Sequence, residues 1–267
     1  MSSIATWNIN SVRLRLPIVL RFLRLYAPDV LMLQEIKCTN DQFPTKAFKR
    51  AGYPYLAVHG QKGYHGVATV SKFPLSDISS RMFCEIPDSR HISALVDVGR
   101  GPLTVHNFYI PAGGDEPDPA INPKFKHKLG FLDELRLWFG QPLFERGHLI
   151  AGDFNVAPHE NDVWSHKQLL RIVSHTPVET EALDALLAGG GGWVDLVRKH
   201  LPHDQKLYSW WSYRSPNWDS VDKGRRLDHV WSTPDIAAHS EGAEIVRAAR
   251  GWGKKPSDHV PVMVRFA

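Results

Sequence analysis

The chain has 267 residues, 43% hydrophobic and 22% charged, enough for a sizeable core in one large domain or two small ones. No apolar run approaches the roughly 18 residues of a membrane span, MSSIATWNIN lacks the basic and apolar regions of a signal peptide, and Cys38 and Cys84 make no disulfide framework. A net charge of +4 and a pI of about 9.0 tilt the chain mildly towards a polyanionic partner.

Residues 3–8, SIATWN, read as a short strand running into polar Asn8. A helix is expected over about 16–26, with Pro17 near its first turn and Ile18, Val19, Phe22 and Leu23 on one face. After Pro28, residues 30–33 form a continuous apolar run of buried-strand type that ends in Gln34-Glu35. Further strands are expected at 66–71, 91–98 and 103–110, followed by a loop over 111–123. A second helix spans about 124–139, with Phe125, Leu129, Leu132, Leu135 and Phe139 three and four apart. Residues 149–151 make another buried strand that leads into Gly152-Asp153-Phe154-Asn155. A helix over 179–188 stops at glycines 189–192, and the last strands fall at about 227–232 and 260–266. Strands and helices mix without strict βαβ alternation, and no linker or internal repeat divides the chain. The expectation is a single domain over 1–267, an α/β sandwich with its site along one rim.

Five polar clusters end or interrupt apolar strands: Trp7-Asn8, Gln34-Glu35, Asp153-Phe154-Asn155, Asp228-His229 and Ser257-Asp258-His259. A carboxylate at the end of a buried strand is unfavourable unless paired or bound to a cation, and core packing requires no such set. The residue types suit phosphodiester hydrolysis. Glu and Asp oxygens select Mg²⁺ or Mn²⁺. Asp153 beside Asn155 can serve the attacking water, and a His held by a carboxylate can stabilise phosphoryl charge. The cysteine and histidine spacings argue against zinc.

TWNINSVRLR at 6–15, LQEIK at 33–37, HGVA at 65–68, YIP at 109–111 and GDFNVAP at 152–158 are followed by WVDLVR at 193–198 and YSWWSYR at 208–214. RRLDH at 225–229 and KPSDHVPV at 255–262 complete the series. In this order, across essentially the whole chain, the strings resemble the exonuclease III family of apurinic/apyrimidinic endonucleases, within the endonuclease/exonuclease/phosphatase superfamily. The resemblance implies a four-layer α/β sandwich of two packed mixed β-sheets flanked by helices.

It further implies that Asn8 and Glu35 hold a Mg²⁺ or Mn²⁺ ion, with Glu35 the principal ligand and Asp153, Asn155, Asp258 and His259 completing the metal site. Asp153 would activate or position the water, Asn155 would orient it, and Asp228 would lie at the edge. Asp258 would orient His259 against the scissile phosphate, with Tyr109 on the opposite side; either Asp153 or His259 could be the base. Trp210 and Trp211 would line a pocket for a base-free sugar, with Arg214 and Arg90 on phosphates. His65 and Trp7 read as structural. Arg225, Ser212 and the segment 160–176 depart from the family pattern, although Asp162 can match its loop Asp.

The implied activity is hydrolysis of duplex DNA at abasic sites, trimming of 3′ ends, or both, by a monomer in a reducing cytoplasm, nucleoid-associated in a prokaryote. Hydrolysis of RNA or small phosphoesters, and catalytically silent nucleic-acid binding, are the competing readings.

Overall fold

Side-chain alternation along the strands sorts this chain into layers. In the computed structural model, which describes residues 1–99, 101–190 and 192–267, β1 (Ser2–Asn8) turns Ile4 into the space between two sheets. Its Ala5 and Trp7 face helix α1 (Val12–Tyr26) instead. The first sheet runs β13 (Ser240–Ile245), β14 (Val262–Phe266), β1, β2 (Val30–Gln34), β4 (Val67–Ser71) and β3 (Tyr55–His59). The second runs β5 (Leu75–Ser79), β6 (His91–Asp97), β7 (Pro102–Tyr109), β8 (His148–Asp153), β12 (Asp228–Ser232) and β9 (Val194–Asp195). A short ladder joins β10 (Trp210–Trp211) to β11 (Gly224–Arg225).

Each six-stranded sheet has one parallel pair at its centre, β1 with β2 and β7 with β8. Each pair is linked through a helix, α1 in the first and α3 (Pro123–Phe139) in the second; α2 (Thr45–Arg50) is a single short piece. The topology therefore repeats although the sequence does not, because a hydrophobic pattern can recur without residue identity. Ile4, Val30, Met32, Val105, Leu149, Val230 and Val264 fill the layer between the sheets. Phe22, Leu31 and Leu33 pack under α1, while Phe108, Phe131, Leu132, Ile150 and Trp231 pack under α3. This is the four-layer sandwich.

Helix α1 starts at Val12 and encloses Pro17. Tertiary contacts set that start, since Ser11 and Val12 N–H donate to the carbonyls of Glu35 and Ile36 at 2.7 and 3.2 Å. The helix Pro177–Ala188 begins on a Thr176–Glu179 capping box and ends at Gly189; Gly191 lies outside the described residues. Strands β3, β5 and β13 were not foreseen. They are short edge strands, and β5 is almost wholly exposed, so no apolar alternation marks them. Among the described residues no helix is long and apolar enough to cross a membrane.

Candidate active site

The carboxyl ends of the two parallel pairs meet at one rim, the position where α/β sheets place ligands. There β1 ends in Asn8, β2 leads to Glu35, β7 ends in Tyr109 and β8 in Asp153. Antiparallel β12 starts from the same rim, with Asp228 directly opposite Asp153. Asp258 and His259 precede β14 and are strapped to β10, through Trp211 N–H to Asp258 O at 2.9 Å and Val260 N–H to Ser209 O at 2.8 Å. Below them lies a polar layer, in which Gln34 Nε2 donates to Thr6 Oγ1 and Asn107 Oδ1 at 2.9 and 2.7 Å.

The backbone here is locally strained. Glu35 and Asn155 have φ of 48° and 54°, and Asn10, Lys37 and His65 share that left-handed region, which non-glycine residues rarely enter outside functional sites. Gly152, at φ 148°, has no room for a side chain, since a Cβ would meet Phe108 O at 1.9 Å. The close approach of β8 to β7 beside Asp153 therefore requires glycine.

One amide bridges the two halves of the site. Asn8 Nδ2 donates to Glu35 Oε1 at 2.9 Å and to Asp153 Oδ2 at 2.8 Å, while its Oδ1 accepts the Asn10 N–H at 3.0 Å. Lys37 Nζ lies 2.8 Å from Glu35 Oε2. Burial acts against the Glu35 carboxylate, but Lys37 and Asn8 outweigh it and hold its pKa below the ordinary range. Asp153 Oδ1 accepts the Asn155 N–H at 2.9 Å, and Asn155 Nδ2 donates to Ile110 O at 2.8 Å.

His259 is enclosed by carboxylates: Nδ1 lies 2.8 Å from Asp228 Oδ2 and Nε2 lies 3.6 Å from Asp153 Oδ2. Burial disfavours the imidazolium, yet Asp228 and then Asp153 overcome it and raise its pKa to about 10. Burial also pushes Asp153 up to about 7, with Asp228 and Glu35 adding to the effect and His259 opposing it. The two shifts compete for one proton. The Asp228 contact is the shorter, 2.8 Å against 3.6 Å, and favours the proton on His259. Burial first, and then the carboxylates of Glu35 and Asp153, hold the Tyr109 phenol well above its usual range, so it remains an O–H donor.

Glu35, Tyr109, Asp153, Asn155, Trp210, Arg214, Asp258 and His259 share a cavity of about 820 Å³. Asp228 lies behind His259, its Oδ1 buried without a hydrogen-bond partner among the described residues. Asp153, Asp228 and His259 present ligand-capable atoms within 4.8 Å of one another. With Glu35 and Asp258 on the same cavity as Asp153, the rim offers carboxylate oxygens of the kind that suit a hard divalent cation.

Four expectations need correction. The carboxylate on His259 is Asp228, not Asp258; Asp258 accepts from Asn10 Nδ2 at 3.1 Å and Trp210 Nε1 at 3.0 Å instead. Asn8 turns its amide NH₂ to Glu35 and Asp153 and its Oδ1 to the Asn10 N–H, so in this arrangement it braces the carboxylates and does not present its oxygen to the rim. Arg90 does not reach the cavity: it pairs with Asp88, donates to Tyr109 O at 3.2 Å and stacks 4.9 Å from the Tyr109 ring, fixing that residue from behind. Trp211 is 1% exposed and belongs to the core under the first sheet, its Nε1 donating to Asp222 Oδ1 at 2.9 Å. Only Trp210 of the pair reaches the cavity.

Sequence reasoning missed several supporting side chains. Ser209 Oγ donates to Asp228 Oδ2 at 2.6 Å and accepts the Leu227 and Asp228 N–H groups. Lys37 and Asn10 link Glu35 to Asp258, with Lys37 Nζ 2.7 Å from Asn10 Oδ1. Only their places inside or beside YSWW, LQEIK and TWNIN marked them. Asp162 is fully buried between Arg198 and Arg226, away from the catalytic rim.

A profile of the endonuclease/exonuclease/phosphatase family matches residues 5–259. Exodeoxyribonuclease III of Haemophilus influenzae is 32% identical over 275 residues, covering 98% of each chain. An AP endonuclease from Archaeoglobus fulgidus superposes with a TM-score of 0.90 at 32% identity, over 100% of this chain and 99% of that one. The 3′ phosphatase NExo from Neisseria, solved with a product DNA hairpin, gives 0.89 at 30% identity with 100% of both chains covered.

Proposed function

The chain belongs to the endonuclease/exonuclease/phosphatase family, and on that premise we propose that it is a divalent-metal-dependent DNA phosphodiesterase of the exonuclease III type, acting in base excision repair. Its substrates are duplex DNA at abasic sites and at 3′ ends. It acts as a monomer with one catalytic unit over 1–267, in the cytoplasm or on the nucleoid of a prokaryote. The observation that carries this reading is the geometry of His259, with Nδ1 2.8 Å from Asp228 and Nε2 3.6 Å from Asp153, at a carboxylate-rich rim.

Glu35, Asp153 and Asp258 would hold Mg²⁺ or Mn²⁺, which when bound neutralises charge on the phosphoryl oxygens. Asp153 takes the proton of the attacking water, and Asn155 orients that water. His259 has its Nδ1 committed to Asp228 and directs its Nε2–H to a phosphoryl oxygen, stabilising the charge that develops there. Tyr109 donates its O–H to the phosphate, backed by Arg90. Asn8 stays in the site as the brace between Glu35 and Asp153. Trp210 forms one wall for the extruded sugar, and Arg214 contacts the flanking phosphate from the cavity edge.

The decisive assay uses a duplex with one abasic analogue and a duplex with a free 3′ end, in Mg²⁺ and in EDTA. Cleavage should require the metal, and Glu35→Ala and Asp153→Ala should each lower turnover by roughly 10²-fold or more. Full activity in EDTA, or faster hydrolysis of RNA or a small diester than of either duplex, would overturn the reading.

A further inference from the structure

Two arginines adjacent in sequence have opposite surroundings. Arg226 is consumed by carboxylates, with Nε and Nη2 on Asp162 at 2.9 Å each and Nη1 on Asp195 at 2.7 Å. Arg225 lines the cavity and makes no ion pair among the described residues. Its Nη1 donates to Val173 O at 2.9 Å and Ser174 Oγ at 2.7 Å, while among the described residues its buried Nε has no partner and its Nη2 makes no hydrogen bond. An unpaired guanidinium in a partly buried wall is unfavourable unless something anionic comes to it.

Its position says where that anion would be. Strand pairing sets Arg225 opposite Trp210, and the guanidinium lies 5.3 Å from the indole centroid. The same indole donates Nε1 to Asp258 at 3.0 Å. Trp210 therefore stands between Arg225 and Asp258, which sets the guanidinium beyond the indole from that carboxylate and towards the next group along the substrate. Lys223 lines the same side, its Nζ 4.5 Å from the Trp164 ring.

We propose that Arg225 is a specificity-determining residue that turns the sugar pocket into an anion subsite, selecting substrates with a negative charge on the 3′ side of the scissile phosphorus, the side that keeps the phosphoryl group. A fixed guanidinium edge recognises oxyanions with defined geometry. The anion is either the following phosphate of the DNA chain or the carboxylate of a short sugar remnant on a damaged 3′ end. This rests on the nuclease reading above.

The test uses two matched substrate pairs in Mg²⁺. One is a 3′-phosphodiester remnant ending in a carboxylate, against the same remnant ending in a neutral amide. The other is an internal abasic analogue followed by a phosphate, against one followed by a neutral methylphosphonate. Wild type should prefer the charged member of at least one pair by on the order of 10-fold in kcat/KM. Arg225→Gln, which keeps a donor for Val173 O, and Arg225→Leu should reduce that preference to about 3-fold or less. Arg225→Lys should fall between them, and the pair that responds identifies the anion. The ratio is internal to each preparation, so partial loss of folded protein cancels. An unchanged ratio in the Gln and Leu variants, or a wild type blind to charge in both pairs, overturns the subsite alone. A wild type inert on all four duplexes overturns the nuclease reading with it.

Discussion

His259 has carboxylates both beside it in sequence and opposite it in space, and its proton depends on the second kind. Asp228 Oδ2 lies 2.8 Å from Nδ1, is braced by Ser209, and is the strongest of the charges that raise the imidazole to about 10. Replacing Asp228 with Asn removes that charge while keeping the shape. The His259 pKa should then fall towards the ordinary histidine value, and turnover should drop by roughly 10²-fold. The deficit should deepen as pH rises above neutrality, because the variant loses the imidazolium where wild type retains it. Asp258→Asn should cost less, since that carboxylate serves Asn10 and Trp210. NMR titration of the His259 ring with parallel pH–rate profiles checks both; a His259 pKa that responds to Asp258→Asn more than to Asp228→Asn would reverse the assignment.

At the scale of elements, the unusual segment 160–176 is anchored by a buried charge cluster. The turn Glu160–Asp162 presents Asp162 to Arg198 of the helix Leu196–His200 and to Arg226 just before β12. Asp195 of β9 takes the remaining edge of Arg226. Burial opposes the Asp162 charge, but Arg226 and Arg198 prevail and hold its carboxyl well below the usual range. Asp162→Ala would leave guanidinium groups buried without sufficient counter-charge and should destabilise the fold by about 3–5 kcal/mol. Denaturant unfolding measures this directly. A loss under about 1 kcal/mol would mean that water or rearrangement satisfies the arginines.

Over the whole molecule, buried histidines set the acid limit of stability. His91, His106 and His148 form a chain on adjacent strands, with nitrogen separations of 3.2 Å at both links, under the cover of α3. Burial depresses His91 to about 3 and His106 well below its ordinary value, and burial with Arg226 depresses His229 to about 3. Below about pH 6.5 the unfolded chain takes up these protons and the native state does not, so stability falls as pH falls, by about 1.4 kcal/mol per pH unit for each group. Asp153, raised to about 7, acts in the opposite sense and offsets one of the three. His259 adds nothing in that window; its contribution is complete below about pH 6.5 and is lost as pH rises towards about 10. Stability should therefore peak near neutrality and drop by roughly 2–3 kcal/mol between pH 6.5 and 5.5. Urea titrations across that range test it; stability that rises as pH falls would show that the three imidazoles titrate normally and leave only the Asp153 contribution.

The sequence by itself determined the layered α/β class, most of the central strands and the polar residues where they end, because alternation and helical period are local properties; the two parallel pairs came only with the fold. It did not mark β5 or β13, whose edge positions need no apolar face. Only the tertiary structure decided which polar groups meet. Neighbours in an extended segment point to opposite sides, so Asp258 faces Trp210 while His259 turns to Asp228, 31 residues away in sequence. The same alternation sends Trp210 to the cavity and Trp211 to the core. Strand pairing over long separations settles these partnerships. It brings Asp228 opposite Asp153 and Arg225 opposite Trp210, contacts that no local pattern encodes.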